Sequence, residues 1–208
     1  MAKFSKSDNS VAVIIGSGAG GGVLGMELAL KGIKTVILEA GGRHNPQDFV
    51  NDEWASFGQI SWLDKRTTSG DWRVARDFSG LPSWIVKAVG GSTLHWAGAS
   101  LRFQPHEWKV KTEYGNIKGA SLEDWPIDHK EMDKWYTKAE NHMGTLGTGG
   151  RERLPGNNNY KVFEAGAKRM GYKDFHTGNM SINSKPYDGR TACQQIGFCF
   201  QGCKSGAK

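Results

Sequence analysis

Cysteine is missing from the first 192 residues of this 208-residue chain; its three copies, Cys193, Cys199 and Cys203, all fall in the last sixteen. Long apolar runs are missing as well. Val11–Ile15 is five residues long, far short of the roughly 20 needed to span a bilayer, so no direct membrane span is expected. The opening MAKFSKSDNS is polar and holds no apolar stretch of the kind a secretory signal requires, so the chain is expected to carry no export address of its own. Dense basic runs are also lacking. The 27 Lys and Arg outnumber the 21 Asp and Glu for a net charge of +6, but they are dispersed, which speaks against a nucleic-acid partner and for a solvated surface. The glycines follow no period of three, which excludes collagen, and no internal repeat is evident.

What is abundant is glycine, 29 residues in all, about twice the average share. The glycines cluster at 16–25, 41–42, 90–91 and 144–150, where tight loops would let backbone approach a ligand. Tryptophan is also frequent, with eight copies, and 38% hydrophobic residues can support a core.

The first cluster lies in VAVIIGSGAGGGVLGMELALKGIKTVILEAGG, beginning at Val11. Val11–Ile15 is β-branched and wholly apolar, the pattern of a strand buried on both faces of a parallel sheet. A glycine turn follows, then a helical pattern over 20–31 ended by Gly32, then a second strand over 35–38 closed by Glu39 and Ala40. This is a βαβ unit. Gly16, Gly18 and Gly21 spell G-x-G-x-x-G between strand and helix, with Glu39 standing 23 positions after Gly16. Each residue has a physical task. Gly16 permits the turn, Gly18 lets a pyrophosphate come close, and Gly21 lets helix and strand meet. The helix N-terminus offers N–H groups and the positive end of a dipole, and Glu39 can accept from a ribose hydroxyl. The expected fold class is α/β, a Rossmann-like FAD- or NAD(P)-binding domain.

Beyond it, residues 43–87 read as loops with short elements. In DWPIDHKEMDKWYTKAENHM, Asp128 and Glu131 form a capping-box pattern, and Met132, Trp135, Tyr136, Ala139 and Met143 share one helical face. Residues 144–158 read as a loop and 159–170 as a further helix stopped by Gly171. His44, His106, His129, His142 and His176 are scattered without metal spacing and read as surface. Trp54, Trp62, Trp72 and Trp84 read as core packing rather than as an adenine cover.

VGGSTLHWAG, at 89–98, carries a resemblance. Together with GSGAGGG, ILEAGG and DWPI, it resembles the glucose-methanol-choline oxidoreductases, and within them the flavoprotein subunits of gluconate, fructose, sorbitol and glucose dehydrogenases. The similarity covers the whole chain but only the N-terminal part of such proteins. It implies FAD bound by Gly16, Gly18, Ala19, Gly21, Glu39 and Ala40, with Gly90, Gly91 and Ser92 running along the flavin, and His95, Trp96 and Gly98 completing the segment. Many members read G-G-S-S-x-I-N there, whereas this chain has Thr93, Leu94, His95 and Trp96 after Ser92. That is similar to an H-W variant of the dehydrogenases and pyranose oxidases, and it implies either a covalent His95–flavin link or a hydrogen bond from behind the ring. Trp125, Pro126 and Ile127 resemble the segment leading into a cofactor-covering helix, and read equally well as a helix entry.

The cysteines follow C-x5-C-x3-C. A disulfide would leave one over. Zinc ordinarily takes four ligands beginning with a shorter spacing, and inert thiols are the plain alternative. An iron–sulfur cluster takes thiolates, three for a 3Fe-4S cluster, and the resemblance implies one at this spacing on Cys193, Cys199 and Cys203.

The resulting expectations are an FAD-binding domain over 1–192, a cysteine-rich segment over 193–208, and a catalytic base and substrate domain outside this chain. The expected function is oxidation of a CH–OH group of a sugar, sugar acid or polyol, with electrons leaving through the cluster to a cytochrome. The alternatives are a non-catalytic cofactor-binding fragment and an NAD(P)-dependent reductase. By resemblance, the partners are a small subunit carrying the export signal and a cytochrome c subunit, and the location is periplasmic or membrane-associated through them, with cytoplasmic as the alternative.

Overall fold

The structure is a computed structural model, and it describes residues 4–5, 7–52, 55 and 86–208. The four tryptophans at 54, 62, 72 and 84 and most of the 43–87 stretch lie outside the described residues. The chain divides into two compact units: Met1–Ala97 with Gln195–Ser205, and Gly98–Gln194 with Gly206–Lys208.

In the first unit, β1 (Val11–Ile15), helix α1 (Ala19–Leu30) and β2 (Lys34–Leu38) form the expected βαβ unit. The strands pair in parallel, with Val11 opposite Lys34 and Ile15 opposite Leu38. Gly25 lets α1 settle on the sheet, because a Cβ there would lie 2.7 Å from Ile37 Cδ1. Gly32, at φ +76°, turns the chain out of the helix. A small cluster of Phe49, Val86 and Ala88, with Leu94 against it, forms the apolar centre of this unit. A 3-10 turn at Gly91–His95 follows.

One expectation is corrected. β1 is not buried on both faces: Ile14 is 7% exposed, but Val13 is 60% and Ile15 89% exposed. Among the described residues the sheet consists of β1 and β2 alone.

The second unit holds α2 (Val110–Tyr114), α3 (His129–Met143) and α4 (Asn158–Arg169). The two long helices begin where side-chain caps dictate. Asp128 accepts from the Glu131 N–H and Asn157 from the Tyr160 N–H, each satisfying one N–H that helix geometry leaves over. Gly144, at φ +68°, ends α3. Buried Trp108 meets the rings of Phe103, Trp125 and Tyr136. Leu146, Ala167, Ile182 and Ala207 are buried as well, and polar side chains share this interior. Thr145, Ser181 and Asn183 are fully buried, and the Ser181 hydroxyl joins those of Ser100 at 2.6 Å and Thr145 at 2.8 Å. Half-exposed Arg102 spans the two carboxylate oxygens of buried Glu140 at 2.7 and 2.6 Å.

Candidate cofactor site

The glycine turn between β1 and α1 is built by close approach. Gly16 has φ +89°, a left-handed conformation that costs glycine little. A Cβ on Gly21 would lie 2.0 Å from the Gly16 carbonyl oxygen, so only glycine fits where helix meets turn. Around Gly18 a Cβ would meet nothing within 4 Å, which leaves room for a ligand. Gly18 is also the N-cap of α1; no side chain caps the helix and its first turn holds no acid. The first N–H groups of α1 therefore face outward without an anionic side chain, the arrangement that receives a phosphate.

Glu39 stands at the end of β2 and grips this turn. Its Oε2 accepts from the Ser17 N–H at 2.9 Å and the Ser17 hydroxyl at 2.6 Å. Its Oε1 accepts from the N–H groups of Ala40 at 2.8 Å and Gly41 at 3.1 Å. These donors, the Ser17 hydroxyl foremost, hold the carboxyl down at about 2. Four donors match the four lone-pair positions of a carboxylate, so a ribose hydroxyl would have to share or displace one of them.

The second glycine segment comes to the same place. The Gly90 N–H donates to the Ser17 hydroxyl oxygen at 3.1 Å, and a Cβ on Gly91 would lie 3.0 Å from Gly18 Cα. Two segments some 73 positions apart thus close on one turn. Glycines 16, 18, 21, 90 and 91, with Ala19, Glu39 and Ala40, are gathered in the first unit. Ser92 is exposed and Trp96 half-buried there. Gly98 falls in the second unit, where it is buried against Ile182. The His95 ring is 3% exposed, and its Nδ1 meets the carbonyl oxygen of Phe200.

Ser17 is the residue that sequence reasoning passed over. Its only signal was being the one side chain with a hydroxyl inside G-x-G-x-x-G. Gly41, read only as part of a glycine cluster, is held by packing: a Cβ there would lie 1.9 Å from the Lys87 carbonyl oxygen, beside a parallel bridge between Gly42 and Ala88.

The three cysteines are half-buried and form no disulfide. Cys193 lies in the second unit, with its N–H on the Asn183 carbonyl at 2.7 Å. Cys199 and Cys203 lie in the first unit, Cys203 Sγ standing 3.4 Å from the Ser205 hydroxyl. Among the described residues no group of three or more His, Cys, Asp or Glu is assembled as a metal site, so the thiols supply the donor chemistry of a cluster without its assembled geometry. His106, His142 and His176 are exposed and His44 and His129 half-buried, in keeping with a surface role.

No family model matches the chain. Among curated proteins, the fructose dehydrogenase large subunit of Gluconobacter japonicus is 26% identical over 94% of this chain and 40% of that protein. Paromamine 6'-oxidase of Streptomyces fradiae is 29% identical over 94% of this chain and 35% of its own length. The gluconate 2-dehydrogenase flavoprotein of Pantoea cypripedii is 24% identical over 66% of this chain and 25% of that protein. The chain thus spans 40% or less of the length of these relatives. Along 94% of its length it is similar to oxidoreductases of the glucose-methanol-choline type, as its two glycine segments imply.

Proposed function

We propose that the chain is the cofactor-binding portion of an FAD-dependent oxidoreductase that oxidises a CH–OH group of a sugar, sugar acid or polyol. One observation carries the reading: the Gly90–Gly91 segment closes on the Gly16–Gly18 turn through Ser17. A nicotinamide site built on G-x-G-x-x-G needs no such second segment. The relatives named a fructose dehydrogenase subunit, a paromamine oxidase and a gluconate dehydrogenase flavoprotein support the same chemistry.

In this reading the free N–H groups of α1 hold the pyrophosphate, with Gly18 giving it access. Glu39 takes a ribose hydroxyl while keeping part of its hold on the turn. Gly90, Gly91, Ser92 and the residues up to Gly98 border the flavin. FAD, when bound, accepts the hydride removed from the alcohol carbon. The base that takes the alcohol proton lies outside residues 1–208. Residues 1–192 serve as the FAD-binding portion and 193–208 as the beginning of a cysteine-rich segment. Cys193, Cys199 and Cys203 would hold a 3Fe-4S cluster supplying one-electron transfer. The reading extends to a cytochrome c acceptor, a small subunit carrying an export signal and a periplasmic or membrane-associated site. Among the described residues no helix is long and apolar enough to cross a membrane.

Absorbance of the purified full-length protein tests the proposal. Flavin bands that bleach on adding a sugar or polyol are expected. A protein without flavin that binds NADH instead would overturn it.

A further inference from the structure

We propose that His95 is the positioning residue of the thiol loop. Its Nδ1–H holds the Phe200 carbonyl and thereby fixes the segment bearing Cys199 and Cys203 against the Gly91–His95 turn. A carbonyl oxygen only accepts, so Nδ1 must carry the proton in this contact. The partners are 105 positions apart and the ring is 3% exposed. The bond is part-buried, with its imidazole side inside, and losing it is costly because it leaves a buried polar group unsatisfied. Phe200 directly follows Cys199 and stands three residues before Cys203.

A second seat supports the same loop. Gly202, at φ +111°, lies so close to Phe49 that a Cβ would come within 2.3 Å of its ring, and Phe49 belongs to the apolar centre formed with Val86 and Ala88. Between the seats the chain turns tightly: the Gln201 N–H bonds to the Phe198 carbonyl at 3.1 Å, and Gln201 itself is buried. The two thiols are therefore carried on a held loop.

The other end of the same turn is tied to the phosphate loop by the Gly90 N–H and Ser17. One short element thus touches the proposed flavin site at its start and the thiol loop at its end. That this shared element serves electron transfer rests on the function proposed above; the positioning role of His95 does not.

The experiment compares the wild-type chain with His95→Leu and His95→Asn. Asn places an amide N–H near the position of Nδ1, and Leu supplies none. With the protein reduced and stripped of metal by a chelator, maleimide labelling of each cysteine is followed by peptide mass spectrometry. In His95→Leu, Cys199 and Cys203 should label about tenfold faster, the factor corresponding to ~1.4 kcal/mol of lost local protection, while Cys193 keeps its wild-type rate. His95→Asn should label like wild type. Equal rates in wild type and His95→Leu overturn the proposal. If His95→Leu speeds all three thiols, His95→Asn decides: wild-type rates there support positioning, and Leu-like rates overturn it. Iron content of the protein as isolated is measured in parallel. Iron-free wild type sinks the cluster reading and leaves the labelling result to judge His95 separately. Iron present in wild type and His95→Asn but depleted in His95→Leu supports both.

Discussion

Ser17 and Glu39 show how one side chain can organise a site it was not expected to serve. The Ser17 hydroxyl donates to Glu39 and accepts from Gly90, so both glycine segments are registered on a single oxygen. Ser17→Ala should lower FAD affinity on the order of tenfold, since a preorganised loop becomes one that must be ordered on binding. Ser17→Thr keeps the hydroxyl and should recover most of the loss; fluorescence titration of the apoprotein with FAD measures both. Glu39 adds a pH dependence whose sign is determined. Its carboxyl, near 4.3 in an unfolded chain, is held at about 2 in the folded one. The stabilisation is therefore present above the unfolded value and is lost as pH falls from about 4.5 through 2. Unfolding midpoints followed from pH 6 to 2 should converge for wild type and Glu39→Gln at the acid end, with wild type the more stable above pH 5. A constant gap across that range would show that Glu39 does not hold the loop as a carboxylate.

The elements themselves were legible in the sequence wherever local chemistry decides them. The βαβ unit came from an apolar run, a glycine turn and a second apolar run, and its helix starts and ends within a residue of the reading. The α3 start was equally readable because Asp128 caps it; α4 begins at Asn158, one residue before the reading, behind a cap on Asn157 that the reading had left inside a loop. Exposure of β1 was not readable, since the same five apolar residues serve a strand whether or not a second layer covers it. Nor were the contacts of Gly42 with Ala88, Ser17 with Gly90 and His95 with Phe200, which join positions that no period relates. Gly21 tests the packing of the turn. Gly21→Ala would place a methyl 2.0 Å from the Gly16 carbonyl oxygen, so the helix must back away, at a cost of about 3 kcal/mol by the usual penalty of overpacking. Gly20→Ala, in the same helical turn, would meet nothing within 4 Å and should be neutral or mildly stabilising. Denaturant unfolding of the two variants measures the contrast; equal effects would mean the Gly16–Gly21 approach is not a constraint.

At the scale of the whole molecule the two units divide their chemistry. The first gathers backbone donors, glycines and one carboxylate around the turn between β1 and α1. The second closes on buried polar side chains: Thr145, Ser181 and Asn183, and the Arg102–Glu140 pair. No spacing rule foretells this polar group, because Ser100, Arg102, Thr145, Ser181 and Asn183 sit outside helices and strands and meet each other and Glu140 of α3 only in the folded chain. Arg102 also bonds Asp133 and Thr137 and lies 5.4 Å from the centre of the Tyr136 ring, and Tyr136 in turn neighbours Trp108. None of these partners is shared with Ser17, Glu39 or Gly90, so effects on the two sets should add independently. Arg102→Leu leaves the Glu140 carboxylate buried without its cation and should cost about 3 kcal/mol. Arg102→Leu with Glu140→Leu removes the stranded charge and should recover part of that loss, while both variants retain wild-type FAD affinity. Tryptophan fluorescence during denaturant unfolding, with Trp108 linked to the pair through Tyr136, reads the stability, and flavin titration reads the site. A fall in FAD affinity matching the fall in stability would show that the cofactor site draws on the polar interior of the second unit, and the division of labour between the two would have to be abandoned.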